Sequence, residues 1–506
     1  MNTYLSMRGI TKRYPNGILA NENVDFSLNP GEIHAIAGEN GAGKSTLMKI
    51  LFGAERPDEG EIVLKDQSVR ISSPAVATSL GIGMVYQHFM LVDELPVWQN
   101  VFLGIEKKKG LLLDRDAMVR ATEQLCADFD MPMDVHALCG SLPVGVRQKV
   151  EILKVLARGA EIIILDEPTA VLTPQETQEL FHQLRLLKAN GHTMIIITHK
   201  LKEIRELCDR VTIMRGGKTV GVHQVADVTE EKISELMVGT AVRLKVDKKP
   251  AVPGQTVAEF SHVTLPGPGG KPLLKDVSFQ LHEGEILCLA GVEGNGQQQV
   301  VDCLTGAETA WNGDIRLLDD QVCGKSIRDI RKTGLCHIPE DRMTTGTDQK
   351  ADLYDNMIAL SFDSESRFGL VRRKKLMVRT EEQLKEYLVK GTARQNIGML
   401  SGGNMQKVVI ARELSSGSKV IVADQPTRGV DVGAIAFIHE RLVKMRDEGC
   451  AVLLVSADLG EVLSLSDRIL VFRNGEIAAE VTDVPSADEQ MLGRYMLGVA
   501  EGEAAQ

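Results

Sequence analysis

Residues 37 to 48 read AGENGAGKSTLM and residues 290 to 301 read AGVEGNGQQQVV. The glycine frame recurs 253 positions on: Gly38 answers to Gly291, and Gly31 in NPGEI to Gly284 in HEGEI. Farther along the spacing is 258: Asp166 in LDEPTAVLT answers to Asp424 in ADQPTRGVD, and Asp209 in DRVTIMRGGK to Asp467 in DRILVFRNGE. A unit of roughly 240 residues is therefore written twice, which excludes a short-period solenoid. The expected boundaries are a first unit over 1–242, a linker over 243–255 and a second unit over 256–500, with an acidic tail over 501–506. The linker contains VDKKPAVPGQ, a charged stretch with Pro and Gly.

Each half follows one course. A strand, GEIHAIAG or GEILCLAG, leads into a glycine loop and then a helix. In STLMKILFG the apolar residues Leu47, Ile50 and Leu51 recur at helical spacing, and Gly53 stops the helix. Apolar runs without alternation follow, EIIILDEP and HTMIIITH in one half, VIVADQP and AVLLVSAD in the other. Strands apolar on both faces, alternating with helices, indicate an α/β fold with a parallel sheet.

Bulk properties limit the function classes. The 506 residues are 43% hydrophobic and 25% charged, an ordinary globular composition. A net charge of −11 and 4% aromatics argue against nucleic acid as a partner. The eight cysteines form no CxxC pair, which reads as reduced thiols. MNTYLSMRG is too polar for a signal peptide, and no apolar run approaches the ~20 residues of a membrane span. The expectation is a chain that reaches a membrane only through partners.

GENGAGKS fits G-x-x-x-x-G-K-[ST] in the strand–loop–helix context which that motif requires. Gly38, Glu39, Asn40, Gly41, Ala42 and Gly43 would turn backbone N–H groups toward the phosphates of ATP at a helix N-terminus, continuing through Thr46. Lys44 would bridge the β and γ phosphates, and Ser45 would bind Mg2+. The IIILDEP strand would deliver Asp166 to the metal and Glu167, as general base, to an attacking water. Several residues keep two readings. His199, after the MIIIT strand, reaches the γ-phosphate or is structural. Gln87 senses the γ-phosphate and metal or is a loop glutamine. Tyr14 stacks on adenine or is a solvent-edge aromatic.

The order of an aromatic, GxxGxGKST, Gln, LSGGN (400–404), DEPT and His resembles the ATP-binding-cassette family across nearly the whole chain. The resemblance implies two tandem P-loop NTPase domains, each a RecA-like parallel-sheet core with a helical subdomain and an N-terminal antiparallel β region. It implies that Ser401, Gly402, Gly403 and Asn404 open a helix onto the γ-phosphate held by the opposite domain, and that Asp431 belongs to the adjoining D-loop. The family pairs its domains head to tail.

Under that pairing the substitutions sort by site. Half two has Gln297 and Gln298 for Lys44 and Ser45, Glu340 for Gln87, Gln425 for Glu167 and Ala457 for His199. Half one has Pro143 where half two has Ser401, and Thr173 where it has Asp431. One composite site collects every intact part, and the other collects the losses, with Asp424 its main survivor.

Fused cassettes with a degenerate second half are similar to the ATPase subunit of bacterial simple-sugar importers. MVYQHFMLVD, ITHKLKEI and QPTRGVDVGAIAFIHE look like the nucleoside branch. The resemblance then implies two permease subunits, an extracytoplasmic substrate-binding lipoprotein and a peripheral place on the cytoplasmic face of the membrane. Residues 87–104 are the expected permease-docking surface, with core packing as the competing reading, and Pro96 and Trp98 depart from the pattern there. Two other classes compete. Soluble twin cassettes acting on ribosomes or DNA carry two intact sites with a long charged linker, or zinc-binding cysteine pairs. A nucleotide sensor without turnover conflicts with the complete first site.

Overall fold

The computed structural model describes residues 3–15, 17–87, 89–110, 112–169, 172, 174–239, 248–362, 366–367 and 370–498. Thr173, His88 and the tail at 501–506 lie outside them. The chain divides into two compact units, Met1–Val242 and Arg243–Gln506.

In the first unit a six-stranded sheet runs in the order Lys218–Gln224, Arg210–Arg215, Ile33–Ala37, Thr193–Ile197, Ile162–Asp166, Ile82–Val85. All neighbours are parallel except the Arg210–Arg215/Lys218–Gln224 edge hairpin. A four-stranded antiparallel sheet is built from Leu19–Leu28, Leu5–Arg13, Glu59–Leu64 and Gln67–Val69. The helices Val97–Phe102, Arg115–Asp128 and Val144–Ala157 pack on one another as a separate layer.

The second unit repeats this plan. Its parallel core sheet is ordered Leu335–Ile338, Val420–Asp424, Ala451–Ser456, Ile286–Ala290, Arg468–Arg473, with Glu476–Val481 antiparallel at the edge. The strands alternate between two apolar layers. Ile286, Cys288, Ile421, Ala423, Val452 and Leu454 face one. Leu287, Leu289, Val420, Val422, Ala451 and Leu453 face the other. This explains the unbroken apolar runs: both faces of a parallel sheet are covered. The fold class read from the sequence is the one observed.

Residues 248–255 of the expected linker are fastened to the second unit. Lys248 Nζ donates to the carbonyls of Leu465 and Ser466 at 2.8 and 2.6 Å and pairs with Asp467 at 2.9 Å. Arg446 donates to the Lys249 carbonyl at 3.0 Å.

Trp98 is core rather than surface. It is 8% exposed, with the Arg115 guanidinium 5.4 Å from its ring centroid. The expected docking segment therefore splits. Val97, Trp98, Val101 and Phe102 pack inward, while Met90, Val92 and Leu103 stay exposed.

Candidate functional site

The first glycine loop joins the buried strand Ile33–Ala37 to the helix Lys44–Leu51, whose Leu47, Ile50 and Leu51 are buried as the spacing predicts. Gly43 caps that helix at φ 96°, in the left-handed region, and a Cβ there would collide with the Ala20 carbonyl. The loop path thus follows from packing, and it leaves the first N–H groups of the helix open to an anion. Lys44 is buried and bends back over the loop, donating to the carbonyls of Gly38 at 2.7 Å and Glu39 at 3.0 Å. Tyr14 comes from the antiparallel sheet side, its hydroxyl 3.4 Å from that of Thr46 in the first helical turn.

Asp166 ends the central strand Ile162–Asp166. Burial, then the neighbouring Glu167, pushes it up to about 6 against the pull of Lys44, Lys49 and the Ser45 hydroxyl. Glu167 leaves the strand at φ 47° with its N–H on the Ile197 carbonyl at 3.0 Å. A left-handed non-glycine backbone here turns the side chain out of the sheet edge. There Glu167 Oε2 accepts from Gln87 Nε2 at 2.9 Å, and Oε1 lies 3.0 Å from His199 Nδ1. The His199 hydrogen bond holds the Glu167 carboxyl below its ordinary range despite partial burial. The structure thus brings the residues expected from half one, Tyr14, the loop from Gly38 to Thr46, Gln87, Asp166, Glu167 and His199, together at one end of the parallel sheet. A small apolar groove lined by Phe52, Tyr86, Met90, Glu151, Lys154 and Arg158 adjoins it. Lys154 Nζ donates to the Met90 carbonyl at 2.6 Å, three residues from Gln87.

The second unit keeps this backbone and changes the chemistry. Gly296 caps Gln297–Thr305 at φ 114°, and Gln425 repeats the left-handed turn at φ 46°. Gln298 Nε2, in place of the Ser45 hydroxyl, donates to Asp302 at 3.1 Å. Asp302 stands where half one has Lys49, a charge reversal at the 253-residue spacing. Asp424 is 1% exposed, and among the described residues neither carboxylate oxygen has a hydrogen-bond partner. Burial, against the pull of the Gln298 amide and with Asp302 adding to it, pushes Asp424 up to about 7. Its folded value thus lies above the unfolded one. The ionised form then costs stability above pH 7, and the cost is relieved as pH falls toward the unfolded value; each tenfold difference in proton affinity between folded and unfolded chain is worth roughly 1.4 kcal/mol. Asp424→Asn is expected to raise the melting transition of the second unit at pH 8, by an amount that shrinks by pH 5. Calorimetry at the two pH values checks this, and an equal gain at both would contradict it.

The LSGGN segment opens the helix Gly402–Leu414, with Ser401 as N-cap; Asn404 Nδ2 donates to its hydroxyl at 3.0 Å. Asp431 caps the next helix, accepting from Ala434 N at 2.8 Å, and a Cβ on Gly403 would lie 2.8 Å from Asp431 Oδ2. Ser401, Gly402, Gly403, Asn404 and Asp431 are thus one contiguous patch of the second unit. The equivalent helix of the first unit, Val144–Ala157, has Pro143 as N-cap. The Glu176 carboxylate lies within reach of a Cβ placed on Gly145, at 2.5 Å. An acid at that helix start competes with a phosphate for the same N–H groups.

The sequence profile of the ABC transporter family matches residues 21–170 and 274–428. The chain belongs to the ABC transporter family. It is similar over its full length to a nucleoside import ATP-binding protein of Lactococcus lactis subsp. cremoris, at 40% identity over 98% of each chain. A guanosine import ATP-binding protein of Bacillus subtilis is 41% identical over 100% of this chain and 99% of its own. A ribose import ATP-binding protein of Rubrobacter xylanophilus is 38% identical over 100% of both. The chain is accordingly a tandem ABC ATPase. Among the described residues, no helix of this ABC ATPase is long and apolar enough to cross a membrane.

Proposed function

We propose that this chain hydrolyses ATP to energise nucleoside uptake through partner permease subunits, with one productive site shared between its halves. The observation that carries the reading is the division of parts. The loop with its lysine, the base and the histidine stand together in the first unit, while the serine-capped LSGGN helix and Asp431 stand together in the second. The nucleoside and guanosine relatives support the substrate class. The ribose relative supports a simple sugar as the second reading.

In the first unit Lys44 neutralises the β and γ phosphates, and the helix N–H groups hold them. Glu167 Oε2 takes the proton of the water that attacks the γ-phosphorus in line with the departing ADP oxygen. Gln87 and His199, which already hold that carboxylate, orient the water and the γ-phosphate. Asp166, the Ser45 hydroxyl and Gln87 fit a divalent cation, since a desolvated carboxylate beside a hydroxyl favours one. A divalent cation held there by Asp166, Ser45 and Gln87 would supply neutralising charge to the phosphates. The second unit does not fit: its carboxylate is closed off beside Gln298 and Asp302. On the head-to-tail pairing that the family resemblance implies, Ser401 to Gly403 would meet the γ-phosphate. ATP thereby draws the halves together, and hydrolysis releases them.

The exposed Met90 segment and its groove dock a permease on the cytoplasmic face of the membrane. Gln87 connects that contact to Glu167. A substrate-binding lipoprotein delivers the substrate from outside.

The test is uptake in cells expressing the chain together with candidate permease subunits. Labelled nucleoside should accumulate in an ATP-dependent way, and Lys44→Ala should abolish this. Uptake of labelled ribose without nucleoside uptake favours the second reading. A chain that stays wholly in the supernatant when the permeases are present contradicts both.

A further inference from the structure

The second unit carries four side chains around its glycine loop that have no counterpart in the first. Glu293 stands where half one has Asn40, Glu340 where it has Gln87, Arg342 where it has Phe89, and Arg428 where it has Ala170. In the folded unit these residues find one another. The Arg428 guanidinium pairs with the Glu340 carboxylate and lies 3.7 Å from that of Glu293. Arg342 crosses in the opposite direction, donating from Nη1 to the Arg428 carbonyl at 2.8 Å and from Nη2 to the Gly429 carbonyl at 3.3 Å. Segments 340–342 and 428–429 are thus fastened by side chains from both sides.

The fastening reaches the LSGGN helix. A Cβ on Gly402 would lie 2.8 Å from Arg342 Nη2, so the guanidinium packs directly on the helix start. Asp431, which caps the next helix and abuts Gly403, follows Arg428 by three residues. In the first unit the corresponding segment is held otherwise: Gln87 bonds to Glu167, and Phe89 lies against the Arg147 guanidinium at 5.4 Å. Arg428 and Glu340 have side chains 49% and 30% exposed, so their ion pair adds little stability. What it fixes is geometry.

We infer that Arg342 and Arg428 are positioning residues for ATP hydrolysis. They form a latch that holds Ser401, Gly402, Gly403 and Asp431 as one preformed phosphate-facing surface. A loop that has lost its lysine has given up its main side-chain hold on a nucleotide. The latch sets the neighbouring segment without one, so the donors need no rearrangement when ATP arrives. The inference rests on the shared-site reading above.

The experiment is steady-state ATPase of the full chain across ATP concentrations, with thermal unfolding measured alongside. Arg342→Ala and Arg428→Ala are each expected to lower kcat roughly tenfold or more, with KM for ATP within about twofold. Arg428→Glu and Glu340→Arg should each be as low, and the double exchange E340R/R428E should return kcat to within about threefold of the parent. Because that pair is partly exposed, the exchange carries the test even if Arg342→Ala folds poorly. Alanine variants at the parental kcat, or an exchange no better than its single members, overturn the latch. Ser401→Arg separates the latch from its premise. Loss of turnover there with none in the latch variants overturns the latch alone, and retained turnover there overturns both.

Discussion

Glu167→Gln is expected to lower ATP turnover by roughly 10²–10⁴ while leaving nucleotide binding intact. Glu167, the proposed base, sits between Gln87 at 2.9 Å and His199 at 3.0 Å, and the His199 hydrogen bond keeps its carboxyl in the ionised form that can accept a proton. The amide keeps the size and loses the proton acceptor. The mirror change, Gln425→Glu, should leave turnover within about twofold, because restoring one group does not restore a site. Its surroundings contain Gln297 for the lysine, Ala457 for the histidine and a closed-off Asp424. Comparable ATPase assays on the two variants check the asymmetry. A strong gain in Gln425→Glu, or near-parental turnover in Glu167→Gln, contradicts it.

Ser401→Arg should reduce turnover to a similar residual level, although it lies in the half without the lysine. The serine caps the Gly402–Leu414 helix, its hydroxyl accepting from the Asn404 N–H. Losing one such preorganised group costs roughly 2.7–4 kcal/mol of transition-state stabilisation. An arginine side chain adds bulk at the same place. The matching change in half one, Pro143→Arg, alters a helix start already confronted by Glu176 and should leave turnover within about twofold. ATP binding in the absence of turnover, measured by fluorescence with a labelled analogue, should be close to parental in both. If Pro143→Arg proves the more damaging, the assignment of halves is reversed.

Much of this was readable in the residues themselves. The parallel strands announced themselves as unbroken apolar runs. The first loop and its helix declared themselves through Gly43, Lys44 and the spacing of Leu47, Ile50 and Leu51, all local signals. The residues that escaped are those whose meaning is a long-range contact. Arg342 and Arg428 meet across 86 positions of sequence. Glu176 stands over Gly145 only once two helices are packed. Trp98 keeps both readings, docking surface and core packing, because a lone aromatic has no periodicity, and the Arg115 guanidinium beside it comes from the next helix. The Lys49-to-Asp302 exchange is visible when the halves are aligned, but its electrostatic weight emerges only beside Asp166 and Asp424.

The central proposal is that the chain hydrolyses ATP at one place, on the phosphate loop of the first unit. Vanadate trapping of a photoreactive azido-ATP on the intact chain, followed by peptide mapping, tests it most directly, since trapping requires hydrolysis. The label should fall on first-half peptides, including that of Tyr14, with none above background on the second-half loop around Gly291 to Gln298. Equal labelling of the two loops would contradict the claim.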